Sequence, residues 1–334
     1  MISDCFRQMR KISWSHCFIL MVALVACKKE AKPEQLKIER FDTELYQILK
    51  NPGSTSAEVK FLKKYHDFLP LYLSGILHAP QAGRMQTMVA LHSFFSDSTL
   101  MKVYADEQCR FKDLSAIEKT LGEAVGRYKE LFPKSPLPKF RMHLSGLSQS
   151  VITVGDCVSI AGDKYLGKDY PLYKGYFYDY QLADMQSDRI VVDALKAYLF
   201  GKFPLTNQQN LLDLMVYQGK IHYLLSLLLR DAKPEQLFGY SSRQWEWLTK
   251  SEKVAWLYMA DNQHLYSTDP VLEAKYTGEA PFTPFFGEAS PAKVGVWMGY
   301  RIVESYMEKQ DIPVSDLFQQ TDGKTILQES GYQP

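Results

Sequence analysis

The sequence has no apolar run approaching the about 20 residues that a bilayer-spanning helix needs. The N-terminal one, from Cys17 to Ala26, is ten residues long and is closed by Lys28 and Lys29. An excess of charge of one sign is also missing, with 39 Lys and Arg against 38 Asp and Glu. Together with the lack of a basic run, this excludes a nucleic-acid-binding surface. Cys-x-x-Cys does not occur, which removes zinc ribbons and dithiol redox chemistry. No two of the seven histidines stand four apart, so no helix presents the His pair of H-E-x-x-H. G-x-S-x-G, G-x-x-x-x-G-K-[ST] and G-x-G-x-x-G are absent too. By residue content no catalytic constellation is present, and no cofactor or metal is expected. What is plentiful is aromatic: 13% of residues, 21 of them Tyr. Such a composition serves a core with polar handles or a wet binding cleft.

The N-terminus carries the clearest signal. Arg7, Arg10 and Lys11 precede the apolar run, and Leu24-Val25-Ala26 places small residues at its end. This is the layout of a cleaved secretory signal, residues 1–26. Met9 would make a tidier start than Met1, since Asp4 dilutes the basic segment. Cys27 directly after the cut resembles the lipobox of bacterial lipoproteins, which implies a diacylglycerol thioether on that cysteine and anchoring in a membrane. Residues 1–26 hold a net +2, so the chain from Cys27 on carries −1. Cys109 and Cys157 then remain in an oxidising compartment, as a disulfide or as two thiols.

Residues 27–37, rich in Lys, Glu, Ala and Pro, form a tether, and residues 38–334 a single domain. Apolar residues at helical spacing predict helices over 56–77, 82–97, 113–130, 207–230, 241–262 and 291–309. Phe41, Leu45, Ile48 and Leu49 form another, and Val191–Tyr198 a further one. Between them, Ser150–Val154 and Cys157–Ala161 flank Gly155-Asp156, a hairpin signal. Three short antiparallel strands are expected between 138 and 162, then a loop rich in Tyr, Lys and Pro over 163–181. The fold class is α+β, mainly helical with a small antiparallel sheet. Gly295 and Gly299, four apart, indicate close helix packing in a core. Trp245, Trp247 and Trp256 are core residues or anchors for a partner.

Polar and aromatic clusters supply the candidate site. Gln149, Asp163 and Tyr165 lie near the hairpin. Tyr217, Gln218 and His222 have spacings that could share one helix face, with Tyr223 beside them. Asp184 and Asp188, also four apart, read as a solvated helix face.

Several segments in series resemble the gliding motility lipoprotein GldB family. They include Ile38-Glu39-Arg40-Phe41-Asp42, Ser145-Gly146-Leu147-Ser148-Gln149-Ser150, Tyr165-Leu166-Gly167-Lys168-Asp169-Tyr170-Pro171, Leu212–Lys220 and Gly295–Tyr300. The resemblance implies a cell-envelope lipoprotein required for gliding, linked to the type IX secretion machinery; by analogy with lipoprotein sorting, the absence of Asp directly after Cys27 favours the outer membrane. A more distant resemblance is to zincin metalloproteases. In that register Asp193 replaces the first His, Ala194 the Glu base, Ala197 the second His, and Gln218 the third ligand. Zinc hydrolysis needs three protein ligands and a carboxylate base, so this register implies a zincin-like domain with a degenerate site. The expected function is therefore a non-catalytic envelope component that binds a protein partner or an extended peptide. The alternative is a metal-dependent hydrolase with a non-standard site drawn from Asp163, Asp193 and His222. A transport substrate-binding lipoprotein would need alternating βα units that the chain lacks.

Overall fold

The computed structural model describes residues 32–51, 54–79 and 83–334. The signal segment and Cys27 lie outside these residues. Four strands form one sheet: β1 (Glu39–Arg40), β2 (Lys139–His143), β3 (Val151–Val154) and β4 (Cys157–Ala161), in the order β1-β2-β4-β3. The hairpin at Gly155-Asp156 is β3–β4, with Val154 opposite Cys157 and Val151 opposite Ile160. Only Gly155 of the two turn residues has positive φ, +55°, as a type II′ turn requires.

The antiparallel expectation holds for that hairpin and fails for the rest of the sheet. β2 runs parallel to β4, with Phe140 opposite Val158 and Met142 opposite Ile160, and β1 runs parallel to β2. The cause lies in the link after β2. Gly146 and Leu147 both adopt positive φ, 65° and 64°, and the buried Asp163 carboxylate pins the turn. It accepts hydrogen bonds from the N–H of Ser145 at 2.8 Å, the N–H of Leu147 at 2.7 Å and the Ser145 hydroxyl at 2.9 Å. The chain is carried one lane out to form β3, and β4 returns into the vacant lane beside β2.

Helices cover both faces of the sheet. On one side lie α1 (Phe41–Lys50), α2 (Thr55–Lys64), α3 (Leu69–Gly75), α4 (Arg84–Phe94) and α5 (Ser98–Arg110). Their core is aromatic: Phe41 packs edge-on against Tyr65, Phe68 and Tyr72 at 4.9–5.0 Å. The single helix expected over 56–77 is therefore two. The break falls at 65–68, and Pro70 sits in the first turn of α3, where its missing N–H costs nothing. α5 was not foreseen. Asp97 caps it by accepting a hydrogen bond from Leu100 N at 2.7 Å.

On the other side lie α6 (Ser115–Leu131), α7 (Asp179–Leu182), α8 (Ile190–Lys202), α9 (Leu211–Leu228), α10 (Pro234–Phe238), α11 (Ser242–Asp261), α12 (Pro270–Thr277), α13 (Val294–Gln310), α14 (Val314–Leu317) and α15 (Gly323–Ser330). The segment 163–181, expected as loop, also contains 3-10 turns at Gly162–Lys164 and Pro171–Tyr173. β2 alternates between the two cores. Phe140 and Met142 join Val158 and Ile160 in the larger one. Arg141 lies over Tyr65 and Phe68, and His143 meets Phe68 and Tyr72.

α9 is the axis of the larger core, apolar almost all round, as a fully enclosed helix must be. α13 crosses it at glycines. A Cβ on Gly219 would lie 2.2 Å from the carbonyl carbon of Gly299, and one on Gly299 would lie 1.8 Å from the Met215 oxygen. The close helix packing expected of Gly295 and Gly299 is thus present, and α9 contributes a glycine of its own. Trp245, Trp247 and Trp256 are half-buried against this core, so core packing accounts for them.

Pro33–Pro334 form one unit. The end of the expected tether is docked rather than free. Glu34 N–H donates to the Gly122 carbonyl at 3.0 Å, and Lys129 and Lys37 pair with Glu34 and Glu118 at 2.8 and 2.6 Å. Gly122 permits this, since a Cβ there would lie 2.4 Å from the Glu34 oxygen. Cys109 is exposed, Cys157 is buried, and both are free thiols. Among the described residues no helix is long and apolar enough to cross a membrane.

Candidate functional site

Arg189, the residue before α8, shares a face with Asp193 and Lys196 of that helix, at i, i+4 and i+7. Asp193 is their hub. One carboxylate oxygen accepts from the Tyr165 hydroxyl at 3.1 Å. The other lies 3.4 Å from both Arg189 Nη2 and Lys196 Nζ. Arg189 is only 7% exposed. Its Nη1 donates to the Gln236 carbonyl, and its Nε lies 3.4 Å from Asp184. Gly239, with φ +78°, closes over this pair. A Cβ there would lie 2.6 Å from the Asp184 oxygen and 3.2 Å from Arg189 Nη2. Burial raises the Asp184 carboxyl, and the neighbouring Arg189 holds it back. Burial also pushes the Tyr165 hydroxyl well above its ordinary value, with Asp193 adding to the rise. Tyr165 is therefore a hydrogen-bond donor and not a phenolate.

Above Arg189 opens a cleft of about 440 Å³, between the start of α6, the segment leading into α8, and residues 229–241. Ile117, Val192, Leu229 and Tyr240 give it apolar walls, and Arg189 and Asp188 its charge. Tyr240 begins a ring stack into the core: Phe238 lies on Tyr240 at 5.6 Å and His222 on Phe238 at 4.5 Å, the rings nearly parallel in each case. His222 Nδ1 is 2.9 Å from the Gln218 carbonyl. Burial, with Lys196, Lys293 and Arg189 acting in the same sense, pushes His222 down to about 3. Its imidazole is neutral at any physiological pH.

The sequence-derived residues therefore separate. Tyr165 and Asp193 connect to the cleft through Arg189, and His222 through its ring stack; Gln218 is tied in only by its backbone carbonyl, on His222 Nδ1. Tyr217 does not join them. It is 140° from His222 around α9, touches Phe200 and lines a second pocket. Asp163 is a fully buried tie, spent on the 145–147 turn. Gln149 is exposed on the link into β3. Just before β3 the Ser150 carbonyl accepts from Ala161 N–H at 2.9 Å, which fixes the phase of the ladder. Val151 and Thr153 thus turn N–H and C=O away from β4, and neither makes a hydrogen bond to another described residue. Asp184 pairs with Arg189 and not with Asp188. Sequence reasoning missed Arg189, Gly239 and Tyr240. The one available sign was Gly239 directly after the α10 pattern, a helix-ending glycine.

A second buried acid lies beside the Asp163 knot. Neither carboxyl oxygen of Glu107 on α5 has a hydrogen-bond partner, and a Cβ on Gly162 would lie 2.3 Å from one of them. Burial, then Asp42 and Asp163, raise Glu107 well above the carboxylate range, with Arg40 opposing. Among the described residues, no three His, Cys, Asp or Glu side chains come together as metal ligands.

A family model described as gliding motility protein GldB matches residues 26–334. No curated protein and no solved structure matches the chain.

Proposed function

The chain belongs to the gliding motility protein GldB family, and from that premise we propose that it is held at the outer membrane by a lipid on Cys27 and serves gliding by binding, not by catalysis. Its ligand is an extended segment of a protein in the gliding and type IX secretion machinery. That segment adds a strand to β3 and lays a side chain toward the cleft region.

The open edge of β3 carries this reading. Two residues there offer backbone donors and acceptors outward, the requirement for strand addition. The pinned 145–147 turn fixes the approach to that edge. The engagement of Asp193 supports the non-catalytic part, since its two oxygens already serve Tyr165, Arg189 and Lys196. A base must be free to take a proton. The facing of α8 and α9, with Asp193 on one and Gln218 on the other, is compatible with a protease-like cleft that has lost its hydrolytic groups. Lipid anchoring concentrates the domain at one surface, where weak strand pairing suffices.

The test is a photo-crosslinking residue in place of Gln149 in gliding cells. The expected result is one discrete crosslinked protein, lost when Thr153→Pro removes an outward N–H. Crosslinking unchanged by that substitution refutes strand addition. For the anchor, Cys27→Ala should abolish gliding, and normal gliding by the unanchored form refutes it. Chelator-sensitive proteolysis by the purified protein would overturn the non-catalytic role.

A further inference from the structure

The face of α9 opposite Gln218 and His222 holds a feature that strand binding does not use. Asp213, Val216, Tyr217 and Lys220 fall together there and, with Phe203 and Phe318, line a pocket of about 210 Å³. Its walls are aromatic, with Phe203 and Phe318 stacked at 3.9 Å. Its buried charge is Lys220, 5% exposed.

The ammonium of Lys220 is short of acceptors. It has three N–H donors, and one goes to the carbonyl of Gln320. Among the described residues that line the pocket, the one carboxylate, Asp213, is committed elsewhere. Its two oxygens accept from Gly323 N–H and Gln209 N–H, each at 2.9 Å. Gly323 cannot back away, since a Cβ there would lie 2.8 Å from the Asp213 oxygen. The other cation of the pocket, Lys202, is paired with Asp156 at 2.5 Å. A buried charge without adequate partners is costly, and an anion entering the pocket would relieve it.

We propose that this pocket binds a small monocarboxylate with an aromatic or branched apolar body, its carboxylate on Lys220 and its body between Phe203, Tyr217 and Phe318. The volume suits a ring with one substituent and excludes anything of nucleotide size. Burial brings Lys220 down to about 8, with Asp213 opposing. A carboxylate binds the ammonium and not the amine, so affinity should fall about tenfold per pH unit above that value. The other titratable groups lining the pocket are Asp213, Lys202 and Tyr217.

The experiment uses the full chain in detergent, with benzoate as the probe and benzamide as its uncharged match, followed by calorimetry between pH 6 and pH 9. Benzoate should bind at least tenfold tighter than benzamide, and weaken above pH 8. Lys220→Met should erase the difference between the two probes. Should that variant fail to fold, Asn207→Trp blocks the exposed rim without touching the amine, and should abolish benzoate binding. Equal binding of both probes, or no saturation by about 1 mM, overturns the proposal. The β3 crosslink is unaffected by either result, so the two readings stand or fall separately.

Discussion

Replacing Glu107 by Gln should stabilise the protein at neutral pH, by an amount that grows as pH rises. Glu107 is fully buried, lacks a partner for either oxygen, and has Asp42 and Asp163 as charged neighbours. A carboxyl whose folded pKa exceeds its unfolded one keeps a proton that the unfolded chain releases. Stability then falls with rising pH between the two values. The slope for one proton is about 1.4 kcal/mol per pH unit. It begins near the unfolded value, about 4.3, and ends at the folded pKa. Above about pH 5 Glu107 thus removes stability with each further rise in pH until its folded value is passed, against the about 5–15 kcal/mol typical of domain stability. Glutamine has nearly the same shape and no charge to lose. The assay is urea unfolding of both proteins at pH 5, 6 and 7. Burying an unpartnered amide adds a constant offset, but the gap between the curves should widen with rising pH, with a limiting slope of about 1.4 kcal/mol per unit. The other titrating groups are common to both proteins and cancel. A gap that stays constant or narrows with pH refutes the assignment of Glu107 as a proton held by burial.

His143 and His222 act in the opposite sense. Burial lowers both to about 3, so each contributes stability that is lost as pH falls from about 6.5 toward 3. His222→Gln should flatten acid unfolding in that window by about 1.4 kcal/mol per pH unit, read as a shallower fall in urea midpoint. Gly299→Ala puts a methyl group into the Met215 carbonyl and should cost about 3 kcal/mol, the upper end for overpacking. A thermal midpoint within a degree of wild type would show that α9 and α13 can part. Asp163→Ala orphans two backbone N–H groups and should cost about 3–5 kcal/mol, with amide exchange at Ser145 and Leu147 accelerated before the rest. Native-state alkylation should label Cys109 and spare Cys157, whose thiol burial pushes up to about 11; equal labelling contradicts its enclosure.

The parts legible in the sequence are those decided locally. The β3–β4 hairpin follows from a turn in which Gly155 alone supplies the positive φ. α9 and α13 follow from long apolar periodicity. Partner choice between strands is not local, so the parallel register of β2 with β4 was hidden. It depends on Asp163 reaching back eighteen residues to Ser145. Tyr217 was grouped with His222 because five residues look close to a helical turn. The extra residue swings it to another face. The Arg189–Asp184 pair was invisible because it forms under Gly239, more than forty residues away in sequence. Glu107 hid for the opposite reason: charged residues in a helix pattern are taken for its wet face, and this one lies in the core.

The docking of residues 34–37 on α6 has a mechanical consequence. A pull applied to the chain at Pro33 reaches β1 only after the Glu34–Gly122 hydrogen bond and the ion pairs of Glu34 and Glu118 have parted. These polar contacts are each worth about 1 kcal/mol or less, so they yield before Ile38, which is buried in the larger core and holds the stretch to the sheet. Peeling four residues releases at most about 14 Å of slack. The short stretch therefore behaves as a resettable shock absorber. It lengthens under load and snaps back onto α6 at rest, while the sheet behind it never feels the first part of the strain.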